Sequence, residues 1–204
     1  WFAANGQSVG DEVLVHRYVK DGQESPAVGI DAEGRFVVAW QSINQDGNSW
    51  GVFARRFNSD KTPLDRREFV VNESRMGPQR FAGLGVDEMG RFVIAWQSNE
   101  RAELTDTGSG GGGGGGESNS PEGSSWDLYS RQYSWDGSPE GGEIAVNVWQ
   151  MGPQILPVVA QAPGGDFGIF WLGQGPDHIE GVQGRLYENQ FDFGDAPDSG
   201  YGTL

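Results

Sequence analysis

The sequence predicts an all-β fold built from repeated four-stranded antiparallel sheets, arranged like the blades of a β-propeller. Three observations predict it. A segment of eight residues recurs as RFVVAWQS at Arg35–Ser42, as RFVIAWQS at Arg91–Ser98 and, more loosely, as DFGIFWLG at Asp166–Gly173. The 204 residues include 34 glycines and 10 prolines, a composition that favours many turns. No stretch has the apolar periodicity of a long amphipathic helix.

The first strand of each repeat is predicted to end in a tight turn. VGIDAEG at Val28–Gly34 lines up with LGVDEMG at Leu84–Gly90, and VAQAPGG at Val159–Gly165 is a weaker third match. The D-x-x-G pattern of the first two copies is typical of a hairpin connection. These segments therefore supply one strand and the turn that leads into the recurring segment.

The recurring segment is predicted to be the second strand and to be buried on both faces. Phe36–Trp40 is apolar without the alternation that marks a half-exposed strand. Each copy contains a tryptophan that we expect to anchor the packing between sheets, at Trp40, Trp96 and Trp171. The longer interval, between the second and third copies, contains a tract of seven glycines at Gly110–Gly116, so a flexible loop is predicted at 104–125.

The third and fourth strands complete each sheet. WGVFARRF at Trp50–Phe57, WDLYSRQY at Trp126–Tyr133 and EGVQGRLY at Glu180–Tyr187 predict an alternating third strand. EFVVN at Glu68–Asn72 and EIAVN at Glu143–Asn147 predict a short fourth strand, and MGPQ follows both.

The opening of the chain is interpreted as half of a further repeat. WFAANGQSVGDEVLVHRY at Trp1–Tyr18 lines up with Trp40–Phe57, which places Trp1 at the position of the anchoring tryptophan. On that alignment the first junction is too short to hold a fourth strand, and the chain has about three and a half blades. The β-repeat domain then spans 1–189, and 190–204 form a junction to a further module.

The combined pattern resembles a repeat of very large bacterial extracellular proteins. It reads F-V-V-A-W-Q-S, D-G-x-x-x-G-V-F-A-R-R-F-N, E-F-V-V-N and Q-R-x-x-G-L, and the resemblance covers Trp1–Asn189. Such proteins include adhesin-like and RTX-type surface proteins and multidomain proteins of planctomycetes. FDFGDAPDSGYGTL at Phe191–Leu204 resembles the segment that introduces a further module in them. The resemblance implies an extracellular or cell-surface location and a role in adhesion or architecture, and it implies no catalytic activity.

Composition excludes several functional classes. The chain has 29 acidic and 14 basic residues and a formal net charge of −15, which disfavours binding to nucleic acid or to anionic lipid. It has no cysteine, so disulfides, thiolate catalysis and cysteine–zinc sites are ruled out. The apolar runs are far shorter than the roughly 20 residues that a membrane-spanning helix needs.

These observations lead to three functional hypotheses. We expect a non-enzymatic extracellular structural or adhesion module without a cofactor, part of a larger surface or filament-like assembly. Its partners would be other copies of the chain or other segments of its parent, because an open sheet edge is a template for pairing. The alternatives are a carbohydrate-binding propeller, whose partner would be a glycan, and a glycan-cleaving enzyme.

The candidate ligand-binding residues lie on the third strand and at its start. One strand face carries Arg55 in the first repeat, and Arg131 with Tyr133 in the second. Aromatic rings there can stack on sugars while arginines bind carboxylates. Trp50 and Trp126 begin the predicted third strands at loop edges and are candidate sugar-stacking platforms. The competing interpretation of the strand face is a structural ladder of guanidinium groups packed on rings, and the recurrence of the pattern favours that interpretation.

Evidence for metal sites and for a catalytic motif is weak. Asp192, Asp195 and Asp198 are spaced three apart in a segment with glycine and proline, which suits calcium, although the spacing is not that of an EF-hand. The two histidines, His16 and His178, lack the spacing of a zinc site. NQDGNSW, the segment that ends at Trp50, resembles the Asp-box of sialidase propellers but differs in spacing, so it predicts a hairpin turn.

Overall fold

The computed structural model describes residues 5–8, 10–99, 126–149, 152–175 and 179–188. The regular structure of these ranges is β-strand, and the predicted all-β class is confirmed. Among these residues, no helix is long and apolar enough to cross a membrane. The predicted glycine loop at 104–125 and the junction at 190–204 lie outside the described residues.

Three antiparallel sheets follow one another along the described chain, and we call them blades 1, 2 and 3. Blade 1 consists of β1 (Gln23–Ile30), β2 (Phe36–Ile43), β3 (Trp50–Phe57) and β4 (Phe69–Val70). Blade 2 consists of β5 (Gln79–Val86), β6 (Phe92–Ser98), β7 (Asp127–Tyr133) and β8 (Ile144–Ala145). Blade 3 consists of β9 (Ile155–Gln161), β10 (Phe167–Gln174) and β11 (Glu180–Tyr187).

The register of the sheets repeats from blade to blade, as the alignment predicts. Within each blade the strands pair in chain order. The second strand pairs with the third through equivalent residues, namely Val38 with Arg55, Ile94 with Arg131 and Ile169 with Arg185. A residue with positive φ interrupts the first strand near the same point of each blade, at Ser25, Phe81 and Leu156.

The predicted D-x-x-G turns are held by their own side chains. Asp31 Oδ1 accepts hydrogen bonds from two backbone N–H groups of the turn, and its Oδ2 lies 2.6 Å from Nε of Arg35. The same 2.6 Å pair recurs between Asp87 and Arg91. Gly34 has a φ of 79°, a conformation that suits glycine and closes the turn.

The blades pack face to face through residues of complementary size. Blade 1 presents small side chains, and blade 2 covers them with large ones such as Phe92, Ile94 and Trp96. Blade 2 presents Val93 and Ala95 in turn to the large side chains of blade 3. Every residue of β6 is buried, so the prediction of a strand covered on both faces is confirmed there.

The three anchoring tryptophans are buried, as predicted. Nε1 of Trp96 donates to Gln79 Oε1 at 3.0 Å, and Nε1 of Trp171 donates to the equivalent glutamine. In blade 1 that glutamine, Gln23, donates instead to the carbonyl of Lys20, and Nε1 of Trp40 has no hydrogen-bond partner among the described residues. The polar support of the anchor is therefore incomplete in blade 1.

The opening of the chain does not take the predicted register. The carbonyl of Val15 accepts a hydrogen bond from Nη1 of Arg55 at 2.8 Å. Equivalent arginines of blades 2 and 3 donate in the same way to the residues just after β4 and β8, through Arg131 to Val71 and Arg185 to Val146. Val15 therefore stands where a fourth strand ends.

The sequence agrees with this corrected register. EVLVH at Glu12–His16 parallels EFVVN and EIAVN, and the same number of residues leads from its glutamate to Gln23 as leads from theirs to the equivalent glutamines, Gln79 and Gln154. The predicted register of the opening segment is therefore wrong, although the structure assigns no strand at Glu12–His16. The predicted register relied on Trp1 and Tyr18, whose spacing matches that of the aromatic residues of a third strand. The shorter E-x-x-V pattern indicates the fourth-strand position instead.

We predict that Trp96→Ala will lower the free energy of unfolding by roughly 3–5 kcal/mol, because it leaves a cavity between two blades. Trp96 is 0% exposed, whereas Trp135, which serves as the control, is 59% exposed. Trp135→Ala should change stability little. Chemical denaturation of both variants is the measurement, and equal small losses would contradict the assigned packing.

Candidate functional site

The third-strand face predicted to bind ligand lies between the blades. Arg55 is 5% exposed and Tyr133 is 2% exposed. The guanidinium carbon of Arg55 lies 5.3 Å from the centre of the Phe57 ring, and that of Arg131 lies 5.8 Å from the Tyr133 ring. Arg131 also pairs with Glu73 at 2.6 Å. This geometry is the structural ladder of guanidinium groups packed on rings. The exposed surface of Arg55 and Tyr133 is too small to form a ligand platform.

The two tryptophans predicted as sugar platforms both lie half-buried at one end of the blades. Trp50 begins β3 and pairs with Ile43 at the end of β2. Trp126 directly precedes β7, and its carbonyl accepts a hydrogen bond from the backbone N–H of Gln154 at 2.8 Å. In blade 1 the connection between the second and third strands occurs at this end, so the ring of Trp50 lies beside it. The corresponding connection of blade 2 lies outside the described residues.

The loop before Trp50 has a defined shape. Asn44 donates its N–H to the carbonyl of Ser49 at 2.7 Å, which closes the hairpin connection that the sequence predicts. Nδ2 of Asn48 donates to the carbonyl of Arg75 at 2.6 Å, and Nη1 of Arg75 donates back to the carbonyl of Asp46 at 3.0 Å. The loop is thus tied to the segment that leads into blade 2, and Trp50 is held at a fixed position.

An arginine of blade 2 stacks on the indole of blade 1. The guanidinium carbon of Arg80 lies 4.7 Å from the ring centre of Trp50 and 5.4 Å from that of Phe81. This cation–π contact covers one side of the indole. The buried Nε of Arg80 makes no hydrogen bond with the described residues. The contact therefore joins two blades and leaves one polar donor unused.

A carboxylate and an amide complete the group. Nε2 of Gln41 donates to Oε2 of Glu24 at 3.3 Å, and its Oε1 accepts from the N–H of Phe81 at 3.0 Å. Oε1 of Glu24 and the indole edge of Trp50 both lie within about 3.5 Å of the point where a Cβ on Gly22 would stand. We call Glu24, Gln41, Trp50 and Arg80 the Trp50 cluster.

Sequence reasoning found Trp50 but missed Arg80 and Glu24. The two missed residues occupy the same position of the repeat, since Glu24 pairs with Gln41 and Arg80 pairs with Gln97. Blade 3 has Ile155 at that position. The position thus changes from acid to base to apolar while its surroundings repeat, and this local departure from the repeat was the available signal.

The described residues offer no metal site. No group of three or more histidine, cysteine, aspartate or glutamate side chains there is placed to hold a metal ion. The predicted calcium ligands Asp192, Asp195 and Asp198, and the second histidine, His178, lie outside the described residues. Nδ1 of His16 lies 2.7 Å from the carbonyl of Tyr18, which makes this histidine part of the local backbone structure.

Comparison with known proteins finds likeness in structure but not in sequence. No family model and no curated protein match the chain. The Hadza microbial sialidase Hz136 matches 83% of this chain with 36% of its own, at a TM-score of 0.55 and 12% identity. A protein of unknown function from Dyadobacter fermentans matches 85% of this chain with 53% of its own, at a TM-score of 0.50 and 12% identity.

A third match is weaker. The endo-arabinase from Bacteroides thetaiotaomicron covers 79% of this chain with 55% of its own, at 14% identity and a TM-score of only 0.44. The chain therefore spans between about a third and just over half of the length of these proteins. The resemblance to repeats of bacterial surface proteins is represented by none of the three, and it stays a prediction.

These likenesses show a propeller-like β-fold and correct one expectation. The sequence predicts a non-enzymatic chain, because its resemblance to repeats of surface proteins implies no catalytic activity. That expectation is wrong as drawn, since a sialidase has the same arrangement of strands. Recurrence identifies the residues that build the blades, and it does not exclude glycan cleavage.

We predict that the blade interface weakens in alkali through Tyr133. Burial raises the pKa of Tyr133 from 10.0 to about 12. The pKa of Tyr133 is higher in the folded chain than in the unfolded chain. The contribution of its neutral hydroxyl to the free energy of unfolding is therefore fully present below pH 10 and is lost as the pH rises toward 12. Tyr133→Phe keeps the ring and removes the titration. Its unfolding free energy should therefore fall less between these pH values, and an identical decline in both proteins would contradict the assignment.

Proposed function

We propose that this chain is part of a carbohydrate-binding propeller and that a glycan binds at the Trp50 cluster. The observation that carries the proposal is the fixed indole of Trp50, held by Arg80 on one side with the exposed carboxylate of Glu24 at its edge. A rigid ring next to a few polar groups is a common composition of small-molecule sites. The ring would contact the apolar face of a sugar, and Glu24 would accept hydrogen bonds from its hydroxyls.

The charge of the protein favours neutral glycans. A formal net charge of −15 creates a field that repels polyanions at a distance. Arg80 adds one positive charge at the site, which the net charge of −15 already includes, and its guanidinium lies against the rings of Trp50 and Phe81. We therefore assign the site to neutral, hydroxyl-rich oligosaccharides.

Trp126 supplies a second contact in this proposal. It occupies the repeat position of Trp50 in blade 2 and is also half-buried. A glycan that extends from blade 1 toward blade 2 would meet a ring on each. The shared fold with a sialidase supports a carbohydrate context, although that name describes the sialidase alone.

The first test is a glycan array read with the full chain, with released products analysed by mass spectrometry so that any cleavage is also seen. We expect Trp50→Ala to weaken binding to neutral glycans by about tenfold or more, and Trp50→Phe to retain most of it. The exposed Trp135 provides the control, and Trp135→Ala should bind as the unchanged protein does. Equal binding by the two alanine variants, or no binding to any glycan, would overturn the proposal.

The second test concerns the class of glycan. Glu24→Gln removes one negative charge and keeps the shape of the side chain. We expect it to weaken binding to neutral glycans by about tenfold, because a charged acceptor is lost, while any weak binding of glycans with uronic or sialic acid should improve. If the unchanged protein prefers the acidic glycans, the assignment to neutral sugars is wrong even though the site is right.

A further inference from the structure

One face of blade 3 is apolar and uncovered. Phe170, Val182 and Leu186 are exposed there, and Val182 is 80% exposed. The equivalent valine of blade 1, Val52, is 0% exposed because blade 2 covers it. Phe170 lies over Gly184, since a Cβ on that glycine would lie 2.8 Å from Cε1 of the phenylalanine ring. This face of blade 3 is therefore equivalent to the face of blade 1 that packs against blade 2.

The outer edge of blade 3 is also open. In blades 1 and 2 the third strand pairs with a short fourth strand, through Phe53 with Val70 and Tyr129 with Ala145. Among the described residues, β11 pairs with β10 alone. An open edge of this kind accepts an added strand.

The segment Glu12–His16 resembles a fourth strand and belongs to no sheet of the described residues. Glu12–His16 has the fourth-strand sequence and the fourth-strand contact of Val15 with Arg55, yet it pairs with no strand in the described part of the chain. Its neighbour Tyr18 is fixed by its N–H, which donates to Oε1 of Glu68 at 2.8 Å. The segment is therefore docked on blade 1 with its outer side free, and Leu14 is 66% exposed.

The inner strand of blade 1 has a matching bare surface. Val28 is 67% exposed, whereas its equivalent in blade 2, Leu84, is 8% exposed against blade 1. Ile30 is exposed on the same face. Among the described residues, blade 1 thus lacks the neighbour that blades 2 and 3 have, and blade 3 lacks the neighbour that blades 1 and 2 have.

We propose that a second copy of this chain closes both gaps. Glu12–His16 of one copy would add to the edge of β11 of the other as its fourth strand, and blade 1 of the first would cover Phe170, Val182 and Leu186 of the second. The contact continues the interface that already occurs twice within the chain. The described residues of two copies would bring together six blades, a number within the range of known propellers. The contact is heterologous, and it closes because it is made twice.

The pairing register follows from the other blades. In blades 1 and 2 the third strand pairs with the fourth through Phe53 with Val70 and through Tyr129 with Ala145. The equivalent pair in the assembly is Gln183 of one copy opposite Leu14 of the other. Because each copy carries a net charge of −15, association should strengthen as salt screens the repulsion. This dependence would separate the proposed contact from one driven by ion pairs, which salt weakens.

Sedimentation of the full chain over a range of concentration and salt tests the assembly. We expect a species of twice the monomer mass that dissociates on dilution and in low salt. Val182→Asp should lower the association constant at least tenfold. Val148→Asp is the matched control, since Val148 is 83% exposed and follows β8 of blade 2 instead of lying in blade 3, and it should leave association unchanged. A monomer at every concentration and salt, or equal effects of the two variants, would overturn the proposal.

Cysteine pairing tests the register and the direction of exchange. The natural chain has no cysteine, so each variant carries a single thiol. A mixture of Leu14→Cys and Gln183→Cys chains should form a disulfide-linked heterodimer on oxidation, faster than a mixture of Val148→Cys and Gln183→Cys chains. Equal rates for the two mixtures would contradict the register. A double variant that cross-links only within one chain would show that the strand is not exchanged between copies.

Discussion

The architecture depends on the burial of the second strand of each blade. A strand that is apolar on both faces needs a cover on each side, and a single sheet cannot supply both. Here the cover comes from size complementarity, because a face of valine and alanine meets a face of phenylalanine, isoleucine and tryptophan. Polar groups then fix the register of this apolar contact. Arg55, Arg131 and Arg185 each donate a hydrogen bond to a carbonyl of the preceding segment.

The repeats made most of the fold predictable. Three segments recur in the sequence, namely the second strand, the D-x-x-G turn and the third strand. In the structure the second and third strands pair as the alignment of the repeats requires. The register of the opening segment was not found, because a fourth strand has only two paired residues and so leaves a short pattern in the sequence. Its identity became clear from the carbonyl of Val15, whose contact with Arg55 exists only in three dimensions.

The candidate site was predictable only in part, for a related physical reason. Trp50 was found from its place at the start of a strand. Arg80 stacks on it from the next blade, and the geometry between blades decides such a contact. In a repeat protein the recurring side chains hold neighbours together, as Arg131 and Tyr133 do here. Glu24 and Arg80 depart from the repeat, and the proposed glycan site is built on them.

The turn arginines have a consequence for how the molecule opens. Nη2 of Arg35 in blade 1 donates to the carbonyl of Met89 in blade 2, and Nη2 of Arg91 in blade 2 donates to that of Gly164 in blade 3. Blade 2 therefore shares such bonds with both neighbours, whereas each outer blade shares them with one. In an array with nearest-neighbour coupling, blades 1 and 3 of a single copy open before blade 2. Backbone amides of β6 should thus exchange with solvent only in the largest opening of the array, while those of β1 and β11 exchange through fraying of a single blade.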